Sequence, residues 1–371
     1  MPHPQLDRSR LDVRSLTERE NKLRIEHDHV SPDARPQNLS AKVQRIVAET
    51  AERIRAARAA RAPVMLAFGA HSIKNGLGPV FIRLLENGWV QHLATNGAGV
   101  IHDWEFSYQG QTSEDVRKYT DQGQFGIWNE TGLHLNLAIL LGAAEGLGYG
   151  ESVGRLIEQG GHTLPAREAL LATIARAGDG PAAAERAAGA ADVLAVTETL
   201  GLPLGTFLPV EHPWRQYSVQ AAAYRLGLPF TAHPMIGHDI IYTHPANHCA
   251  AIGRAAQRDF LAYAHNVSRL QGGVYLSVGS AVMSPMIFEK SMSMSQNLAR
   301  QAGHHLDRHF IVVVDLAESR WDWSQGEPPP DNPDYYLRYC KTFSRMGGTM
   351  HYATADNRDF LLALLHQLEE N

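Results

Sequence analysis

The chain has 371 residues, a formal net charge of -5 and two cysteines, Cys249 and Cys340. That length can bury the core of one large α/β domain or two smaller ones. Well-mixed charges leave no footprint for nucleic acid or an acidic membrane, two cysteines make no disulfide scaffold, and no apolar run reaches the length of a membrane span.

Residues 1–40 carry Asp, Arg, Pro and Ser without sustained periodicity. They read as an arm that packs on a neighbour or stays loose, and their polarity is unlike a signal peptide, so the expected location is the cytoplasm. From Ser40 to Arg61 apolar residues recur at helical spacing, with Ser40 as N-cap. Val64–Phe68 is an apolar run suited to a buried parallel strand, Gly76–Gly88 a helix and Val90–Ala94 the next strand. The stretch Gln91–Glu105 then passes from strand into a glycine turn. Gly97 and Gly99 are read there as positive-φ residues that let the backbone approach a ligand.

Beyond it, Thr112–Asp115 reads as a helix start or polar turn and Leu133–Leu147 as a helix. The alanine-rich stretch within a helical insertion at about 160–205 forms two helices without chemistry of their own. Ser218–Gly227 is helical and Leu228–Ala232 a short strand, in which Pro229 fits only a strand start or a sheet edge. A helix over Ala250–Leu270, a strand over Gly273–Val278, a helix over Met286–Ala302 and the strand His309–Asp315 continue the alternation. Thr349–Ala353 and Asp359–Glu370 close it as strand and helix. Residues 41–371 are therefore expected to form a single α/β domain, a Rossmann-like parallel sheet with helices on both faces.

Strand ends carry the candidate chemistry. Gly69–Ser72, Thr95–Gly99, Gly279–Ser280 and Asp315 would converge on one sheet edge, where a nucleotide lies in such folds. The Gly97/Gly99 turn would offer N–H donors to a pyrophosphate, and Asp315 would accept from a ribose hydroxyl. His102, Asp103 and Glu105 provide a base, an acid and an orienting group. His233, His238, His244 and His248, with Asp239 and Cys249, form the densest histidine cluster of a chain with nineteen. Its spacing matches no zinc motif, and a metal-dependent hydrolase or lyase built on it is the alternative reading. Only six lysines occur, Lys22, Lys42, Lys74, Lys118, Lys290 and Lys341, so one kept near a glycine loop raises a chemical question. Lys341, flanked by Tyr339, Cys340 and Phe343, would be a nucleophile if an apolar lining left its amine neutral.

From about Val64 to the C-terminus, outside the alanine-rich stretch, these segments resemble deoxyhypusine synthase, an NAD-dependent aminobutyl transferase. His71–Gly76, Thr95–Asp103, Pro229–His244, Val278–Val282, Asp315–Glu318 and above all Pro333–Lys341 carry the likeness. The resemblance implies NAD as cofactor, held by His71, Ser72, Thr95, Asn96, Gly97, Ala98, Gly99, Gly279, Ser280, Asp315 and Ala317. It implies a Schiff base on Lys341, with Tyr339 beside it, and a homotetramer. Lys341, His102 as base and Asp239 as orienting carboxylate are the expected catalytic residues. Asp103, His238, His244, Glu318 and Tyr339 would bind substrate, and no metal is assigned. Ile101 and His102 stand where that family has paired glutamates, Ser284 and Pro285 where it has a histidine, and Tyr335 where it has an acid. A cationic polyamine needs such carboxylates. The expected reaction is therefore a transfer on a smaller amine- or hydroxyl-bearing metabolite, with a non-catalytic NAD-binding homologue as a further alternative.

Overall fold

A computed structural model describes residues 3–370. Ten strands are described: β1 (Asn21–Arg24), β2 (Val64–Phe68), β3 (His92–Thr95), β4 (Gln111–Glu114), β5 (Gly161–Thr163), β6 (Phe207–Pro209), β7 (Phe230–Ala232), β8 (Val274–Val278), β9 (Phe310–Asp315) and β10 (Thr349–Thr354). Six of them form one sheet in the order β10-β9-β8-β2-β3-β7, every pairing parallel. Numbered by first appearance in this sheet, that is the order 3-2-1-4-5-6 of the doubly wound dinucleotide-binding fold. The chain is Rossmann-like, and its topological switch point lies between β2 and β8.

The strands are short and almost wholly apolar because both faces of the sheet are covered. All five residues of β2 are buried. Side chains alternate between faces: Val64, Leu66 and Phe68 join a core with helices Ala41–Ala59, Gly78–Glu86 and Asn357–Glu369. Met65 and Ala67 face Tyr263, Phe288 and Phe343 on the opposite side. β7 is an edge strand of three residues, and Pro229, which has no N–H to give, precedes it.

Three departures from the sequence reading bear on the site. Gly97 and Gly99 do not form a positive-φ turn; they open the helix Gly97–Gln109, capped by Asn96 Oδ1 accepting from Gly99 N at 2.9 Å. Of the segment read as a helix start or polar turn, residues 112–114 belong to β4, which pairs antiparallel with β1 of the N-terminal arm, and Asp115 alone caps the helix Val116–Asp121 that follows. The arm is thus held by this chain's own β4 rather than loose. Elsewhere, the antiparallel pair β5–β6 brackets the alanine-rich helices Arg167–Ala175 and Pro181–Thr199.

Candidate functional site

At the C-terminal edge of β2, β3 and β7 lies a cavity of about 210 Å³. Lys74 enters it from the segment after β2, Ala98, Ile101 and His102 from the helix after β3, and His238, Asp239 and Ile240 from the loop after β7. Arg19 from the arm, Glu105 and Glu114 complete the wall.

That wall is a hydrogen-bonded network of one arginine and two carboxylates. Arg19 makes a bidentate pair with Glu105, at 2.8 and 2.7 Å, and lies 4.0 Å from Glu114. Both members of the main pair are 1% exposed at the side chain. Burial alone would raise the Glu105 pKa, but the Arg19 charge and its hydrogen bonds overcome this and hold it below the ordinary value. Trp128 Nε1 and Gly126 N donate to Glu114. None of these groups is left over for a ligand.

The ionised Glu105 fixes the chemistry of His102. A carboxylate only accepts, so the Thr112 hydroxyl donates to Glu105 Oε2. Thr112 Oγ1, its hydrogen spent, must accept from His102 Nδ1, 2.8 Å away. Burial pushes the His102 pKa down to about 4, with the Lys74 and Arg19 charges adding to it against the pull of Glu105. The ring is therefore neutral near pH 7 with its proton on Nδ1. Nε2 keeps a lone pair on a side chain that lines the cavity, which is what a proton acceptor requires.

Asp239 has the opposite situation. Its carboxylate rests on the first turn of the helix Gly97–Gln109, so closely that a Cβ at Gly97 would lie 2.1 Å from Oδ2. Burial raises its pKa to about 6, and only the nearby His238 charge works against that. Lys74 is half-buried, and burial followed by the Lys22 charge lowers its pKa. Among the described residues neither Asp239 nor Lys74 has an ion-pair partner.

The remaining expected site residues are dispersed. Asp103 does not face the cavity: it accepts from Ser218 Oγ, Val219 N, Gln220 N and Gln220 Nε2, capping another helix. His244 is buried on the helix Asn129–Glu145, its Nδ1 accepting from Ala246 N. Thr95 is fully buried, donating to Phe68 O and packing on Gly99, so it offers a cofactor no group. Ser72 is likewise sealed in, accepting from Asn357. His71 is exposed on the five-residue helix Ala70–Lys74. Gly279, at φ 58°, and Ser280 follow β8, while Asp315 ends β9 and accepts from Ala317 N.

Lys341 is separated from His102 and Asp239. Its helix, Arg338–Ser344, packs on the helix Met283–Gln301 and beside the edge strand β10, with Phe343 against Tyr275 of β8, whereas His102 and Asp239 follow β3 and β7 toward the other edge. Its amine sits 3.4 Å from the Tyr335 ring centroid and 3.7 Å from Glu327 Oε1. Tyr339 lies there too, its hydroxyl 3.3 Å from that of Tyr352, and Glu318 is exposed beyond β9. The lysine in the cavity is Lys74, whose only sequence signal is the scarcity of lysine. Nothing in the sequence marks Arg19 or Thr112.

The histidine cluster does not assemble either. His233 is buried against Tyr263 and Thr231, His244 faces Asn129, and His248 points to Asp192. Among the described residues no three His, Cys, Asp or Glu side chains come together as metal ligands.

Fold and site together define a Rossmann-like α/β protein with a polar cavity at the carboxyl ends of its strands, beside the switch point. No protein-family model and no curated protein matches the chain. Among solved structures it is similar to AgrE in a ternary complex with ornithine and NAD+, at 14% identity and a TM-score of 0.42, over 90% of this chain and 34% of that one. It is similar to ArgZ, an arginine dihydrolase of the cyanobacterial ornithine-ammonia cycle, at 13% identity and a TM-score of 0.40, over 90% of this chain and 33% of that one. A putative LOR/SDH protein from Methanococcus maripaludis S2 gives 13% identity and a TM-score of 0.42, over 91% and 72%. The chain spans about a third of the length of AgrE and ArgZ. These are not deoxyhypusine synthases, so the family read from Pro333–Lys341 and the strand-end loops is corrected, and the homotetramer that rested on it loses its basis.

Proposed function

We propose that this chain is an NAD-dependent enzyme that oxidises a small amine-bearing metabolite in the cavity lined by His102, Asp239 and Lys74. The observation that carries the reading is the position of that cavity: at the carboxyl ends of β2, β3 and β7, next to the switch point of a sheet in dinucleotide-binding order.

The residues at the strand tips fit a dinucleotide, though not through the usual glycine fingerprint. The helix after β2 has only five residues, too short to carry a pyrophosphate on its dipole. The helix Met283–Gln301 has nineteen and begins at the switch point; Ser280 Oγ accepts from its Ser284 N and Pro285 has no N–H, so Met283 N is the first-turn donor it would offer a phosphate. Gly279, in a left-handed conformation just before it, leaves room for close approach. Asp315 would take a ribose hydroxyl one strand further on. NAD, when bound, supplies the acceptor for hydride from the carbon that bears the substrate nitrogen.

The protein's own groups do the rest. Asp239 receives the ammonium, a cation that gives its unpartnered carboxylate a counter-charge. His102 Nε2 accepts a hydrogen bond from the nitrogen and, because burial disfavours its cation, relays to solvent rather than keeps the proton released as the C–N bond gains double-bond character. The Arg19–Glu105–Thr112 chain holds His102 in the tautomer that can do so. Group transfer through an imine on Lys341 is not part of this reading, because that amine is paired with Glu327 at the far edge of the sheet.

Calorimetric titration with NAD, followed by a screen of small amines for NADH absorbance, tests the proposal. Saturable NAD binding and NADH formed in proportion to product are the expected results. Absence of NAD binding overturns it, and turnover without NADH accumulation would point instead to a cofactor that cycles.

A further inference from the structure

We propose that the cavity recognises a zwitterion, an amino acid whose carboxylate is bound by Lys74 and whose ammonium is bound by Asp239. This rests on the same cavity as the function proposed above and narrows its substrate from amines in general to amines that also carry a carboxylate.

The argument is one of charge accounting. Five fully ionisable side chains line the cavity besides its histidines: Arg19, Lys74, Glu105, Glu114 and Asp239. Arg19 is committed to Glu105 and Glu114, Glu105 also receives Thr112 and Thr131, and Glu114 receives Trp128 and Gly126. Arg19 thus carries one positive charge between two carboxylates, and burial, which raises the Glu114 pKa, favours a proton on Glu114 that leaves the set neutral; each of the three already has its polar partners. What remains is one cation, Lys74, and one anion, Asp239.

The two are kept apart rather than paired. Lys74 follows β2 and Asp239 follows β7, with β3 and the start of its helix between them. Both line one cavity of about 210 Å³, so a ligand that touches both has to be of about amino-acid size. Each pole alone explains little, since a half-buried lysine and a loop aspartate are common. Their occurrence as the two unpaired charges of one small cavity is the complement of a dipolar ligand. A diamine would leave Lys74 facing a second cation, and a simple carboxylic acid would leave Asp239 facing an apolar chain, so both are disfavoured.

Isothermal titration of the full chain with three probes reads this directly, without added cofactor. L-Ornithine carries both poles, putrescine lacks the carboxylate and pentanoate lacks the ammonium. L-Ornithine should bind at least about tenfold tighter than either partner probe, a difference of about 1.4 kcal/mol. Lys74→Met should lower ornithine affinity about tenfold or more and leave putrescine unchanged or improved, while Lys74→Arg restores the ornithine preference. Asp239→Asn should weaken ornithine and putrescine alike. Equal binding of putrescine and ornithine, insensitivity of ornithine to Lys74→Met, or no ornithine binding at all overturns the proposal. The cofactor reading fails separately: discrimination among the probes without NAD binding would remove the redox role and keep the zwitterion site. NAD binding without discrimination would do the reverse.

Discussion

The reactivity of the cavity is set by a single hydroxyl hydrogen. Thr112 has one to give, and because Glu105 is ionised the hydrogen goes to the carboxylate, which forces His102 to protonate Nδ1. Thr112→Val keeps the side-chain shape and removes this constraint. Nitrogen NMR of the histidine ring should then show loss of the single Nδ1–H tautomer, and turnover should fall about 100-fold, the scale of a mispositioned general base. Thr112→Ser should restore both, and an unchanged tautomer in the valine variant would show that something else orients the ring. Arg19 acts one step further out. Arg19→Met would strand Glu105 and Glu114 in a buried wall, an expected loss of about 3–5 kcal/mol visible as a lower urea midpoint.

At the level of elements, the site depends on how closely the loop after β7 can approach the helix that follows β3. Gly97 is helical and needs no special φ; it is small because Asp239 lies where a methyl would be. Gly97→Ala should leave the helix intact, or strengthen it by about 1 kcal/mol in propensity. It should displace the carboxylate and weaken amine binding about tenfold. Binding that survives the substitution would mean that Asp239 is not the ammonium partner. The same contact shows what the sequence discloses and what it hides. The buried strands are legible because each is a short apolar run between turn residues: Val64–Phe68 is β2 to the residue, and Pro229 stands just before the start of an edge strand. The purpose of Gly97 is not legible, since the atom it makes room for is some 140 residues away in the chain. Asp103 and Glu105 look alike in sequence, two residues apart on one helix, yet one caps a neighbouring helix and the other buries an arginine. Helical rotation places them on different faces, and only the packed partners reveal which face is the site.

For the whole molecule, the arm and the histidines have the largest consequences. Residues from Arg8 to Arg24 reach across the core: Arg8 bonds Tyr242 O and the Asn247 side chain, Arg19 enters the cavity wall, and β1 pairs with β4. The low apolar content that makes this segment read as loose reflects a role in hydrogen bonding and ion pairing rather than in packing. Nine histidines, His29, His92, His102, His134, His162, His212, His233, His244 and His309, have pKa values pushed down to about 3 or 4, in each case first by burial. Unfolded, each would titrate near 6.5. Between those values the unfolded chain binds protons that the folded chain refuses, so stability is fully present above about pH 6.5 and is lost as pH falls toward 4. Asp239 and Asp259, raised to about 6 and about 7 by burial, and Asp103 and Glu114, which burial also raises, act in the opposite sense over part of that window, but they are four against nine. Urea midpoints measured from about pH 8 to pH 4 should therefore fall steeply below pH 6.5. His212 offers the sharpest check, because both of its ring nitrogens are buried without a partner and its ring packs edge-on against Trp104 and Tyr108. His212→Phe keeps those aromatic contacts, gives up no more than a weak contact with the Val210 carbonyl and removes one of the nine titrations. The variant should match or exceed the wild type in stability at neutral pH and decline less on acidification; a parallel decline would mean that His212 takes up its proton without unfolding the chain.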